Sequence, residues 1–90
     1  MNEKLIEKKL REEVKKLGGI ALKFSSQTYT GMPDRIVLMP GGKISFAEIK
    51  STGKKPTKLQ ALQISKLIEL GFIVRVIDSK ETLTDFLEEI

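Results

Sequence analysis

The chain has 90 residues and a formal net charge of +4, from 16 Lys and Arg against 12 Asp and Glu. It contains no Cys, no His and no Trp. Disulfide scaffolds, zinc fingers, thiol nucleophiles and imidazole bases or ligands are therefore excluded. Any metal must be held by oxygen, which means a hard cation such as Mg²⁺, Mn²⁺ or Ca²⁺. Side-chain proton transfer falls to Lys, carboxylates or the single Tyr.

This length predicts one domain, residues 1–90, with a modest core that dimerisation would help. Apolar residues at 40% and charged residues at 31% predict a folded, soluble protein. No apolar run approaches the roughly 18 residues of a membrane span, and no signal peptide opens the chain. The expectation is an intracellular, cytoplasmic protein with no membrane partner. The charge is uneven: residues 1–58 hold 13 basic and 6 acidic residues, and residues 59–90 hold 3 and 6. A basic front two-thirds points toward a polyanion such as nucleic acid.

Residues 3–17 predict an amphipathic helix, with Ile6, Leu10, Val14 and Leu17 at helical spacing. Gly18-Gly19 ends it. Residues 20–24 alternate Ile20, Leu22 and Phe24 with Ala21 and Lys23, the pattern of a half-buried strand. Residues 25–33 read as a loop. Residues 35–39 and 43–50 are strands joined by a turn at Pro40-Gly41-Gly42. A basic Gly/Pro loop leads to a helix over residues 57–70, opened by the capping box Thr57-Lys58-Leu59-Gln60 and closed by Gly71. Residues 72–77 predict an apolar strand, central and covered on both faces. Asp78 or Ser79 caps a last helix bearing Leu83, Phe86, Leu87 and Ile90. The order αβββαβα implies an α/β fold: an antiparallel meander, then a parallel fourth strand, in a mixed four-stranded sheet flanked by helices.

A turn centred near Gly41 gives pairs whose numbers sum to about 82 or 83. Asp34 then lies opposite Glu48 or Ile49. Glu48 and Lys50 share a strand face. Asp34, Glu48 and Lys50 therefore gather. Glu48 sits in an otherwise apolar segment, and charged residues are seldom buried unpaired. Two neighbouring carboxylates repel; a divalent cation removes that conflict. Lys50 beside it could orient a water, a kit suited to hydrolysing a phosphodiester. The plainer alternative is a turn aspartate and a strand-end ion pair of little energy.

The wider pattern is Gly31-Met32-Pro33-Asp34-Arg35, then Glu48-Ile49-Lys50, then Gln60 on a helix. It resembles the virus-type replication-repair nuclease (VRR-Nuc) branch of the PD-(D/E)xK superfamily, with its restriction-endonuclease-like core. The resemblance covers about residues 3–80 and includes the leading helix and both Gly-Gly turns. It implies that Asp34, Glu48 and the Ile49 backbone carbonyl ligate Mg²⁺ or Mn²⁺. Lys50 would position the attacking water and stabilise charge on the phosphate. A carboxylate on the leading helix would complete the site; Glu7 is the first choice and Glu3 the second. Gln60 would lie near metal waters or a phosphate, or serve only as the third helical residue of the capping box. Arg35, Lys54, Lys55 and Lys58 are candidate contacts to the DNA backbone, as are Gln27 and Tyr29 in the loop.

The expected function is a metal-dependent deoxyribonuclease, acting in phage or bacterial replication, repair or recombination. A core with one active site would cut both strands most simply as a homodimer, and the resemblance points to branched DNA such as Holliday junctions. The rival readings are a non-catalytic DNA-binding module with the same fold, and a small basic interaction protein that binds Ca²⁺ structurally.

Overall fold

Asn2 starts the first helix: its side chain accepts the Leu5 N–H at 2.9 Å, satisfying one of the open donors of the first turn. The computed structural model describes residues 1–90. Its elements are α1 (Glu3–Lys16), β1 (Ile20–Lys23), β2 (Arg35–Met39), β3 (Lys43–Ile49), α2 (Lys58–Glu69), β4 (Ile73–Ile77) and α3 (Lys80–Glu89). This is the αβββαβα order of an α/β fold. No helix is long and apolar enough to cross a membrane.

In α1, Ile6, Leu10 and Val14 are fully buried, each contributing about 1.5–3 kcal/mol. Leu17, expected on that stripe, is instead the exposed C-cap. Gly18 turns the chain with φ of +86°, and Gly19 then passes so close to β2 that a Cβ would lie 2.6 Å from the Leu38 carbonyl oxygen. The end of α1 is thereby fixed against the sheet.

The sheet order is β1-β2-β3-β4, with β1–β2 and β2–β3 antiparallel and β3–β4 parallel. The β2–β3 hairpin turns at Gly41 and Gly42, both at positive φ. Odd-numbered residues of β2 and β3 face α1 and α3, where Val37, Ala47 and Ile49 join Ile6, Leu10, Val14 and Phe86 in the main core. Even-numbered residues face α2, where Phe46 packs with Leu67 and Val74. Phe46 meets the rings of Phe24 and Phe72 at 5.7 and 5.4 Å.

Two expectations about strands need correction. Ala21 is the buried residue of β1, while Ile20 and Leu22 are 52% and 41% exposed. β1 is an edge strand, and α2 covers only the other end of that sheet face. β4 is likewise an edge strand, not a central one, because α2 carries the chain just one place beyond β3. It is apolar because α2 and α3 both pack against it.

Candidate active site

The site lies where the β2–β3 ladder stops. Pairing runs from Met39↔Lys43 to Arg35↔Ala47, so pair numbers sum to 82, as expected, and Asp34 continues the register opposite Glu48. The Lys50 N–H donates to Ile77 on β4, and the Ile49 N–H donates to Asp34 Oδ2 at 2.9 Å. Odd-numbered β3 amides thus point toward β2 and even-numbered ones toward β4. Asp34 and Glu48 consequently occupy a non-hydrogen-bonded position, where opposed side chains approach most closely.

Pro33 gives the motif its chemistry at the backbone level. Extending the register two residues past Arg35↔Ala47 sets it opposite Ile49, at what would be the next hydrogen-bonded position; it is fully buried and has no N–H to donate. The Ile49 carbonyl therefore loses its ladder donor. Since the C=O and N–H of a residue in such a pair point to the same edge, that oxygen lies on the side where Asp34 binds the Ile49 amide. Sequence pattern thus leaves one free backbone acceptor beside one carboxylate.

Glu48 is 1% exposed, and neither of its oxygens has a hydrogen-bond partner. Lys50 Nζ lies 3.3 Å from Glu48 Oε2, an ion-pair distance without hydrogen-bond alignment. Burial raises the Glu48 pKa above its ordinary 4.5, and the charge of Asp34 raises it further; Lys50 and the Asp34 backbone oppose the shift. Orphaned buried carboxylate oxygens are costly, on the order of 1–3 kcal/mol or more. Asp34 itself is exposed. It opens onto a cleft of about 350 Å³ whose walls include Glu3, Glu7, Lys23, Arg35 and Ile49.

Glu7 reaches this cleft but does not join the two carboxylates. Its Oε1 accepts a hydrogen bond from the Arg35 guanidinium and lies 4.0 Å from Arg11 Nε. Strand alternation explains the separation: Arg35 projects toward α1, while Glu48 projects toward α2. No three acidic side chains are grouped so as to hold a metal ion by themselves. Glu3 lines the same cleft one turn earlier.

Arg35 departs from its expected role as a DNA-backbone contact. It is 5% exposed, with one guanidinium nitrogen on the Ala21 carbonyl at 3.1 Å and the other on Glu7. Its donors bind α1 to the sheet and are committed within the protein. Gln60 is the third residue of the capping box: its Oε1 accepts the Thr57 N–H at 2.9 Å, and its own N–H donates to Thr57 Oγ1 at 3.1 Å. Lys54, Lys55 and Lys58 are exposed, as are Gln27 and Tyr29 in the preceding loop.

Gln63 is a residue the motif reading missed. It is buried, and its side-chain amide donates to the Thr30 carbonyl at 3.1 Å, tying α2 to the loop that leads into Asp34. Its signal was a polar residue four positions before Leu67, on the apolar stripe of α2. Gly31, in the same loop at φ +88°, lies so near α2 that a Cβ would sit 3.0 Å from Leu59 Cγ.

No protein-family model matches the chain. A curated relative does: "Putative nuclease p44" of Acyrthosiphon pisum secondary endosymbiont phage 1 is 48% identical over 81 residues, spanning 90% of this chain and 87% of that one. A solved structure described as a VRR_NUC domain superposes with a TM-score of 0.88 at 30% identity, covering 96% of this chain and 94% of the other. With agreement in sequence, in fold and over nearly the full length of both relatives, the chain belongs to the VRR-Nuc family of the PD-(D/E)xK nuclease superfamily.

Proposed function

We propose that the protein is a Mg²⁺- or Mn²⁺-dependent deoxyribonuclease that hydrolyses phosphodiester bonds in branched DNA, Holliday junctions included. Family membership supports a nuclease; the remainder is our reading. One observation carries it: a fully buried glutamate with two unpartnered oxygens, beside an aspartate, a lysine and a backbone carbonyl without a ladder donor. The oxygen donors of this set suit a hard divalent cation, which would engage the Glu48 oxygens that have no hydrogen bond.

Asp34, Glu48 and the Ile49 carbonyl would hold the cation. When bound, it activates water and offsets charge on the scissile phosphate. Asp34, already anchored to the Ile49 amide, keeps its carboxylate fixed without reorganisation. Lys50 orients the attacking water and faces the negative charge that develops on the phosphate. Glu7, held by Arg35, borders the cleft and adds an acceptor for water. The Gln60 cap holds the start of α2, and Lys54, Lys55 and Lys58 follow the site as backbone contacts.

A single site per chain supports action as a homodimer, which would present two sites to a junction. The exposed apolar side chains of Ile20, Leu22 and Ile44 on one sheet face suit that contact. Phage or bacterial replication, repair or recombination in the host cytoplasm is the setting we favour, in line with the phage relative.

Incubation with supercoiled plasmid and with a four-way junction, in Mg²⁺, Mn²⁺, Ca²⁺ or EDTA, tests the reading. Cleavage should appear with Mg²⁺ or Mn²⁺, vanish in EDTA, and be lost in Asp34→Ala and Lys50→Ala. DNA binding without cleavage in any metal would leave a non-catalytic module. Absence of both at low salt would refute a role on DNA.

A further inference from the structure

Three open clefts follow α1 in succession. The first, about 620 Å³, is lined by Lys4, Lys50, Lys54 and Lys55. The second is the acidic cleft at Asp34, which shares Glu3 with the first. The third, about 460 Å³, is lined by Arg11, Lys15 and Lys23, and shares Lys23 and Arg35 with the second. Together they make one groove with a basic arm on each side of an acidic centre.

Five lysines on the two arms are uncommitted, although Arg11 lies 4.0 Å from Glu7 and Lys50 lies 3.3 Å from Glu48. None of Lys4, Lys15, Lys23, Lys54 or Lys55 lies within 4.0 Å of a carboxylate, whereas Lys16, off the groove, is paired with Glu13 at 3.1 Å. On α1 the spacing is ordered too. At 3.6 residues per turn, Lys4, Arg11 and Lys15 fall within about 40° of one another, next to Glu7 and away from the buried stripe. From Lys4 to Lys15 the helix rises about 16 Å, against about 3.4 Å of duplex axis per phosphate of one strand. Several consecutive phosphates of one strand span that length.

We propose that this groove is the substrate track: one DNA strand lies along α1, its phosphates held by Lys54, Lys55 and Lys4 on one side of the site and by Arg11, Lys15 and Lys23 on the other. The inference rests on the nuclease reading and adds the path of the strand. The acidic centre repels phosphate until its charge is offset, so the two arms supply the attraction that brings the strand over it.

The test measures binding of a fluorescent 30-base-pair duplex in EDTA over a range of salt. Its variants are Lys54→Gln/Lys55→Gln, Lys15→Gln/Lys23→Gln, the two pairs combined, and Lys43→Gln/Lys66→Gln as a control away from the groove. Thermal melting establishes that each remains folded. Each arm pair should lower the slope of log K against log salt by about 2, and the combination by about 4, at about 0.9 per phosphate contact. The control slope should equal that of the unaltered chain. An unchanged slope for Lys15→Gln/Lys23→Gln, or an equal loss in the control, overturns the track while leaving the nuclease reading intact. If the unaltered chain binds no DNA at low salt, the reading beneath it falls as well.

Discussion

Glu48→Gln should stabilise the metal-free protein while abolishing cleavage. The unaltered carboxylate is 1% exposed and has no hydrogen bond on either oxygen. Glutamine keeps the shape and removes the charge. It retains an unsatisfied amide, at a cost of about 1–3 kcal/mol, but frees Lys50, which borders the open basic cleft and can be hydrated. The net gain should be about 1 kcal/mol, or about 4–8 °C in Tm for a domain of this size. The gain depends on pH. Because the folded Glu48 pKa is raised above 4.5, Glu48 favours the fold at pH below 4.5 and loses that contribution as pH rises through the raised value. The difference between the two proteins should therefore be small in acid and widen toward neutral pH. Adding Mg²⁺ or Mn²⁺ at about 100 times its Kd should stabilise the unaltered chain by about 2.7 kcal/mol, and Glu48→Gln far less. Differential scanning fluorimetry in EDTA and in metal, from pH 4 to 8, reads all of this. If Glu48→Gln melts lower than the unaltered chain in EDTA at pH 7.5, the orphaned carboxylate is not a strained feature of the fold, and the argument for a cation there fails.

Other outcomes follow from the same geometry. Arg35→Met should cost about 2–3 kcal/mol in urea unfolding, less than a fully buried pair because Glu7 reaches water; a cost below about 0.5 kcal/mol would mean that Arg35 does not fasten α1. Gln60→Ala should lose about 0.5–1 kcal/mol of stability with cleavage largely kept, as befits a cap. Gln63→Ala should lose about 1–3 kcal/mol and slow cleavage more, since it loosens the loop before Asp34; the reverse order in cleavage assays would return Gln60 to the chemistry. Leu22→Glu combined with Ile44→Glu should convert a dimer to monomer in sedimentation velocity, and a monomeric unaltered chain would remove the dimer.

Much of this arrangement was legible in the sequence because local signals set it. Gly41-Gly42 marks the turn, the turn sets the register, and the register alone places Asp34 against Glu48. The capping box at Thr57 and the Ile6-Leu10-Val14 stripe are equally local. What stayed hidden depends on which neighbour covers each face. Ile20 and Leu22 look like core residues, but only the arrival of α1 and α3 on the opposite face shows that Ala21 is the buried one. β4 looks central because helices cover both its faces, and its edge position depends on sheet order. Arg35 follows Asp34 in a motif and so suggests a ligand contact. One step along a strand reverses the direction of the side chain, and it turns inward to Glu7 instead.

At the end of the β2–β3 hairpin a side chain, not the opposite backbone, receives the Ile49 N–H. Ile49 is the one β3 amide near the site whose proton is held by a carboxylate and not by a backbone carbonyl. Its exchange with solvent and its nuclear magnetic resonance frequency must then follow the charge on Asp34. The protein carries a spectroscopic indicator one hydrogen bond from the carboxylate, where the proposed cation would register without any substrate or any cut.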